Sequence, residues 1–186
     1  MKDIKIKQIF HIIFAVAVTG LFLRMFVVDT FEVKGDSMAP VILKGDYVFV
    51  DKASHRFRFK GGDYIFNRQD IIVAKARRQS GQIIKRIIGL PGDRLEITNN
   101  GNGILIKKDR KDEGEPIKED YISNPAVSIP VVGLGAIKLD PKEYYVLGDN
   151  RYFSVDSREL GPVDEWDIEG RVFLIFRPSS FSFKTP

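Results

Sequence analysis

Three short segments of this 186-residue chain hold residue types that could do chemistry. The first is Gly35-Asp36-Ser37-Met38-Ala39-Pro40, a serine in a turn bounded by glycine and proline. Taken alone such a serine is an ordinary turn residue. The second is Gln82-Ile83-Ile84-Lys85-Arg86-Ile87-Ile88-Gly89-Leu90-Pro91-Gly92-Asp93, where a strand period puts Lys85 on one face with Ile83 and Ile87, and Ile84, Arg86 and Ile88 opposite. A lysine framed by isoleucines is a candidate for desolvation, which penalises the ammonium and can turn an amine of ordinary pKa ~10.4 into a base at neutral pH. The plain alternative is an edge strand carrying a protective lysine. The third is Gly148-Asp149-Asn150-Arg151-Tyr152-Phe153-Ser154-Val155-Asp156-Ser157-Arg158, directly after the apolar residues 144–147. Such a density of polar groups after a core strand either satisfies a complicated loop or builds a site.

Composition narrows the chemistry. The chain has no cysteine, which excludes a disulfide framework, a thiol nucleophile and Cys-ligated zinc. Its two histidines are His11, in an apolar run, and His55, in a basic-aromatic stretch, so a Ser-His-Asp site would need His55 and a hydrolase here is expected to use another base. No metal cluster or cofactor is implied. The 29 Lys and Arg face 25 Asp and Glu, and residues 31–186 keep a net charge of only +2, which is no nucleic-acid signature.

The elements that must position these segments fall into two parts. Residues 9–28 form an apolar run interrupted by His11, Thr19, Gly20 and Arg24; as a helix it spans roughly 30 Å, about one hydrocarbon core. Arg24 lies near the distal end, where its side chain can snorkel to the headgroups. Three lysines before the run and Asp29 and Glu32 after it place the N-terminus in the cytoplasm. A retained single-pass anchor over residues 1–28 is therefore expected, in preference to a signal peptide cut near Ala15-Val16-Ala17 or a buried core helix. From residue 29 onward the chain reads as an all-β domain, with short runs rich in Val, Ile, Phe and Tyr punctuated by Gly-Asp pairs. Strands are predicted over 47–50, 82–88, 94–98, 104–108, 136–139, 143–147 and 171–177, with a hairpin turn at 99–103. Residues 108–119 alternate in charge and read as a solvated loop. Residues 52–60 are either a surface loop or a membrane-surface contact.

Together the three segments, in this order and behind an anchor, resemble bacterial type I signal peptidases, which are membrane-tethered serine endopeptidases with a Ser-Lys dyad. The resemblance extends to Gly45-Asp46-Tyr47-Val48, Gly161-Pro162-Val163 and Ile168-Glu169-Gly170-Arg171, and so covers nearly the whole chain. The single anchor and short insert look like the compact Gram-positive type. The resemblance implies that Ser37 is the nucleophile, Lys85 its general base and Ser154 the serine that hydrogen-bonds and orients the lysine. It also implies an Asp156–Arg158 ion pair that shapes the site, with Asp149, Asn150 and Arg151 setting the loop that carries Ser154. The main-chain N–H of Ser37 would bind the oxyanion; some members add a hydroxyl two residues earlier, where this chain has Gly35. Phe31, Val33, Met38, Ile42 and Ile83 would line shallow pockets for small side chains. Two departures stand out: Val41 replaces the family's usual threonine, and residues 60–81 are more polar and less strand-like than usual.

The expected function is removal of signal peptides from secretory preproteins after small-x-small (Ala-x-Ala) sites, at the outer face of the bacterial cytoplasmic membrane. The expected partners are preproteins and the phospholipid membrane, without nucleic acid or cofactor. The competing reading is a membrane-tethered β-domain that binds preproteins or other proteins without cleaving them; intact Ser37, Lys85 and Ser154 argue against it.

Overall fold

A computed structural model of the chain describes residues 2–53, 66–77, 81–97, 104–107, 113–122 and 136–186. It opens with helix α1 (Lys2–Phe26), and strand β1 (Val28–Glu32) follows after a single residue. The apolar run is thus split: the helix stops at Phe26 and Val28 already pairs with Asp51 on β2 (Tyr47–Asp51). Among the described residues no helix is long and apolar enough to cross a membrane.

The remaining strands are β3 (Ile71–Lys75), β4 (Gln82–Gly89), β5 (Arg94–Ile97), β6 (Ile104–Lys107), β7 (Glu115–Pro116), β8 (Ile137–Lys138), β9 (Glu143–Leu147), β10 (Val163–Asp164), β11 (Ile168–Arg177) and β12 (Ser182–Lys184), with one helical turn, α2 (Ser157–Leu160). They build two antiparallel sheets. The larger runs β1-β2-β11-β3-β4-β9-β10 with β12 added on β11, and the smaller runs β7-β6-β5-β8. The expected β class is what the chain forms. Its Gly-Asp punctuation has a physical basis at residues 90–93, where Gly92 takes φ +82° and the Asp93 carboxylate accepts from the Leu90 N–H, closing the turn into β5.

Several boundaries and five whole strands differ from the sequence reading. Within residues 60–81, β3 is a central strand whose first four residues are buried. A strand covered on both faces loses the polar alternation that would reveal it, and its polar flanks hid it. β11 begins at Ile168, three residues before the predicted start, and β1, β7, β10 and β12 were not foreseen. Nor is 108–119 wholly a solvated loop, since Glu115 and Pro116 pair with Ile106 and Leu105. The proposed turn at 99–103 lies outside the described residues, but β5 and β6 on its two sides pair in register. Of 52–60 only Lys52 and Ala53 are described; the Lys52 ammonium reaches Asp29 at 3.0 Å.

β4 is the hub of the packing. Ile84 packs on the cluster of Val33, Met38, Ile42, Val48, Val50, Ile71, Val73, Val172 and Ile175; Ile83 and Ile87 belong with Ile72, Tyr144 and Val146; Ile88 joins Leu95, Leu139 and Leu147 between the two sheets. Lys85 and Arg86 are therefore carried on the strand that meets every part of the core.

Candidate active site

Ser37 sits in the loop that leaves β1. The loop is moored at its entry by Val33 N–H to Asp46 O (2.9 Å) and Gly45 N–H to Val33 O (2.8 Å), and by the fully buried side chains of Met38 and Ile42. Beyond it, Arg177 on β11 grips Asp46 through Nε and Nη2 (3.0 and 2.8 Å) and donates to Val41 O at 3.2 Å. Burial raises the Asp46 carboxyl, but the Arg177 and Leu43 hydrogen bonds outweigh it and hold the group below its ordinary value. The loop is fixed from both ends before Ser37 makes any contact of its own.

Lys85 arrives from β4 and is 4% exposed. Its Nζ donates to Ser37 Oγ at 2.8 Å and to Ile84 O at 2.9 Å. Burial brings the amine down to about 8, against the pull of the Asp156 and Asp149 carboxylates and with help from the Arg158 charge. The desolvation expected from its isoleucine neighbours is thus present, and the strand is internal, between β3 and β9.

The third segment closes over this pair. Asn150 holds the serine loop directly, its N–H donating to Ser37 O at 3.0 Å and its Nδ2 to Asp36 O at 3.1 Å. Gly148 has no alternative at its position: a Cβ there would lie 2.2 Å from Ser154 Oγ and 2.5 Å from Ser37 O. Asp156 is fully buried and accepts from Gly148 N–H (3.0 Å), Ser154 Oγ (2.7 Å) and the Arg158 guanidinium (2.7 and 2.8 Å). Burial raises its carboxyl, but those donors, Arg158 first, bring it below the ordinary value. Asp149 forms a bidentate pair with Arg86 (2.8 and 2.6 Å); burial nevertheless pushes its carboxyl upward. Arg151 donates to Gly148 O at 3.1 Å and pairs with Glu119.

An open cleft of about 460 Å³ lies beside Ser37 and Lys85, bounded by residues 31–35 on one side and 81–85 on the other. Phe31, Val33, Met38 and Ile83 are among the residues that line it. Ile42 does not: it is wholly buried in the core, one turn behind Met38, whose carbonyl accepts the Ile42 N–H at 2.9 Å. Ser154 also differs from expectation, since its hydroxyl goes to Asp156 and no bond from it to Lys85 is formed. Sequence reasoning missed Asp46, Arg86, Glu119, Tyr121 and Arg177. Asp46 and Arg86 stood inside quoted motifs, but nothing local marked their partners, which lie 131 and 63 residues away.

A serine oxygen held against a buried lysine whose amine titrates near 8, beside an open cleft, is an arrangement suited to hydrolase chemistry. The comparisons agree: the family model described as signal peptidase, peptidase S26, matches residues 6–177, and the chain belongs to that family and is a peptidase. Signal peptidase I P of Bacillus subtilis subsp. natto is 34% identical over 170 residues, 88% of this chain and 84% of the relative. Signal peptidase I U of Bacillus subtilis (strain 168) is 34% identical over 180 residues, 95% and 91% of the two chains. A probable signal peptidase I-1 of Synechocystis is 30% identical over 177 residues, 94% and 84%. A solved signal peptidase I from Enterococcus faecalis V583 overlaps 57% of this chain and 95% of its own at 28% identity, with a TM-score of 0.44.

Proposed function

We propose that this peptidase removes signal peptides from secretory preproteins through Ser37 and Lys85. The neutral Lys85 amine takes the Ser37 proton as Oγ attacks the scissile carbonyl, giving a tetrahedral oxyanion. Collapse breaks the peptide bond, and the ammonium of Lys85 returns a proton to the departing amine of the mature chain, leaving the signal peptide as an ester on Ser37. Water, deprotonated by Lys85, then attacks the ester carbonyl, the Lys85 ammonium returns that proton to the departing Ser37 Oγ, and the signal peptide leaves with a free carboxyl group. The Ser37 N–H is the oxyanion donor, and Gly35 adds no side-chain hydroxyl. The observation that carries this reading is the 2.8 Å contact between Nζ and Oγ with burial holding the amine near 8.

The signal peptide's small-x-small (Ala-x-Ala) residues would bind in the cleft lined by Phe31, Val33, Met38 and Ile83. The helix α1 serves as a single-pass anchor, with the N-terminus in the cytoplasm and the β-domain outside. Support comes from its surface: Ile9, Phe10, Ile12, Ile13, Phe14, Val16, Val18 and Leu21 are each about half exposed or more, around the whole helix, as suits a lipid environment. The test is to incubate detergent-solubilised protein with a preprotein and map the new N-terminus. Ser37→Ala, Lys85→Ala and Lys85→Arg should each abolish cleavage, since an arginine cannot be neutralised, and the double change should be no worse than either single one. Substantial turnover by Lys85→Ala sinks the reading.

A further inference from the structure

We infer that Glu119 and Tyr121, from the far end of the charged stretch, are positioning residues that hold the Ser37–Lys85 pair through two guanidinium groups; the inference rests on the reading just proposed. The segment shows a division of labour along its length. Lys118 and Asp120 point outward, with side chains 83% and 73% exposed, and pair with each other. Glu119 between them keeps only 11% of its side chain exposed and pairs with Arg151. The next residue on that side, Tyr121, donates its hydroxyl to Glu119 Oε1 at 2.8 Å and lays its ring 4.0 Å from the Arg86 guanidinium carbon. Burial and the adjacent Glu119 carboxylate both raise the Tyr121 hydroxyl's pKa, so it remains a donor across the working range.

The two guanidiniums end on adjacent residues of one loop. Arg86 binds the Asp149 carboxylate and also donates to Gln69 O at 2.9 Å; Arg151 donates to Gly148 O at 3.1 Å. Gln69 pins the segment as well, its side-chain amide donating to Lys118 O at 2.8 Å. Residues 148–150 are the part of the chain that holds the nucleophile, by Asn150 N–H to Ser37 O and by the close packing of Gly148 against that carbonyl. Arg86 is also the strand neighbour of Lys85, and Asp149 contributes to the field at the Lys85 amine. Neither Glu119 nor Tyr121 lines the cleft. Their influence on the reaction therefore runs through the placement of Ser37 and the environment of Lys85, and not through substrate contact.

Full-length Glu119→Gln, Tyr121→Leu and Tyr121→Phe would be assayed in detergent with a short peptide substrate over pH 6–10, beside wild type and Ser37→Ala. Glu119→Gln and Tyr121→Leu should lower kcat at pH 7 at least tenfold with KM changed by less than about twofold, because ground-state contacts are intact while the reacting atoms are misplaced. Their ascending pH limb should move upward by half a unit or more, since a loosened Arg86–Asp149 pair admits water and leaves a less neutralised carboxylate near Lys85, both of which favour the ammonium. Tyr121→Phe keeps the ring over Arg86 and should stay within about threefold of wild type. The limb's position does not depend on how much of a sample is folded, so poor folding of Tyr121→Leu leaves Glu119→Gln to decide. A lowered kcat with an unmoved limb, or wild-type kinetics in Glu119→Gln, overturns the inference. An active Ser37→Ala would instead overturn the reading on which it rests.

Discussion

Replacing Lys85 by methionine should abolish cleavage and yet make the protein more stable at neutral pH. In the folded state the amine titrates near 8, against 10.5 for the free side chain. Between those values the unfolded chain binds more protons, so wild-type stability rises with pH through that window and carries its full penalty below pH 8. At about 1.4 kcal/mol per pH unit, that penalty is roughly 3 kcal/mol at pH 7. Methionine fills a similar volume, carries no charge and escapes the penalty, but it forfeits the Nζ hydrogen bonds to Ser37 Oγ and Ile84 O, each worth about 1 kcal/mol. The variant should gain about 1 kcal/mol at pH 7 and should be the less stable of the two by about 2 kcal/mol once pH exceeds 10.5. Denaturant titrations of both proteins in detergent, followed by circular dichroism at several pH values, measure the difference directly. The informative quantity is its swing of roughly 3 kcal/mol across the window, which the lost hydrogen bonds do not affect. A stability difference that stays constant from pH 7 to 11 would refute the claim that burial has moved the lysine.

Four further outcomes follow from the geometry. The pH–rate profile should rise with a midpoint near 8, so that about a tenth of the lysine is active at pH 7, about 300-fold more than an unshifted amine would supply; activity still climbing at pH 10 would show that burial has not lowered the base's pKa. Gly148→Ala should cost about 100-fold in kcat and about 1–3 kcal/mol in unfolding free energy, since its Cβ collides with Ser154 Oγ and the Ser37 carbonyl, and near-normal activity would show that the loop shifts freely. Gly35→Ser meets no atom within 4 Å of the new Cβ and should raise kcat up to about tenfold by adding an oxyanion donor; a folded variant with unchanged kcat would place Gly35 away from the oxyanion. Asp46→Asn should lower the stability at pH 7 by leaving Arg177 without its counter-charge. Because the Asp46 pKa is lowered on folding, that difference should be present above about pH 4 and fade as the pH falls through the folded value, which acid denaturation of the two proteins would show.

Much of this protein was readable from local order. Strand geometry placed Lys85 on one face with Ile83 and Ile87, and Arg86 on the other with Ile84 and Ile88. The Gly-Asp pairs marked turns because Asp93 caps its own turn within three residues. Ser37, Lys85 and the 148–158 segment were picked out by the order of the three motifs and their resemblance to signal peptidases, since each segment alone also reads as an ordinary turn, edge strand or loop. Local order failed for β3, whose burial on both faces erased the period that would have announced it. It also failed for Ile42, because the side chains next to a cleft and those behind it have the same composition. The destination of a polar group was the least readable property. Ser154 reaches Asp156, two residues away, and not Lys85, while Arg86, Arg151 and Arg177 find Asp149, Glu119 and Asp46, which lie 63, 32 and 131 residues away in the chain. A hydrogen bond is decided by a few tenths of an ångström and by which competing acceptor lies nearer, and those quantities exist only once the sheets have closed around β4.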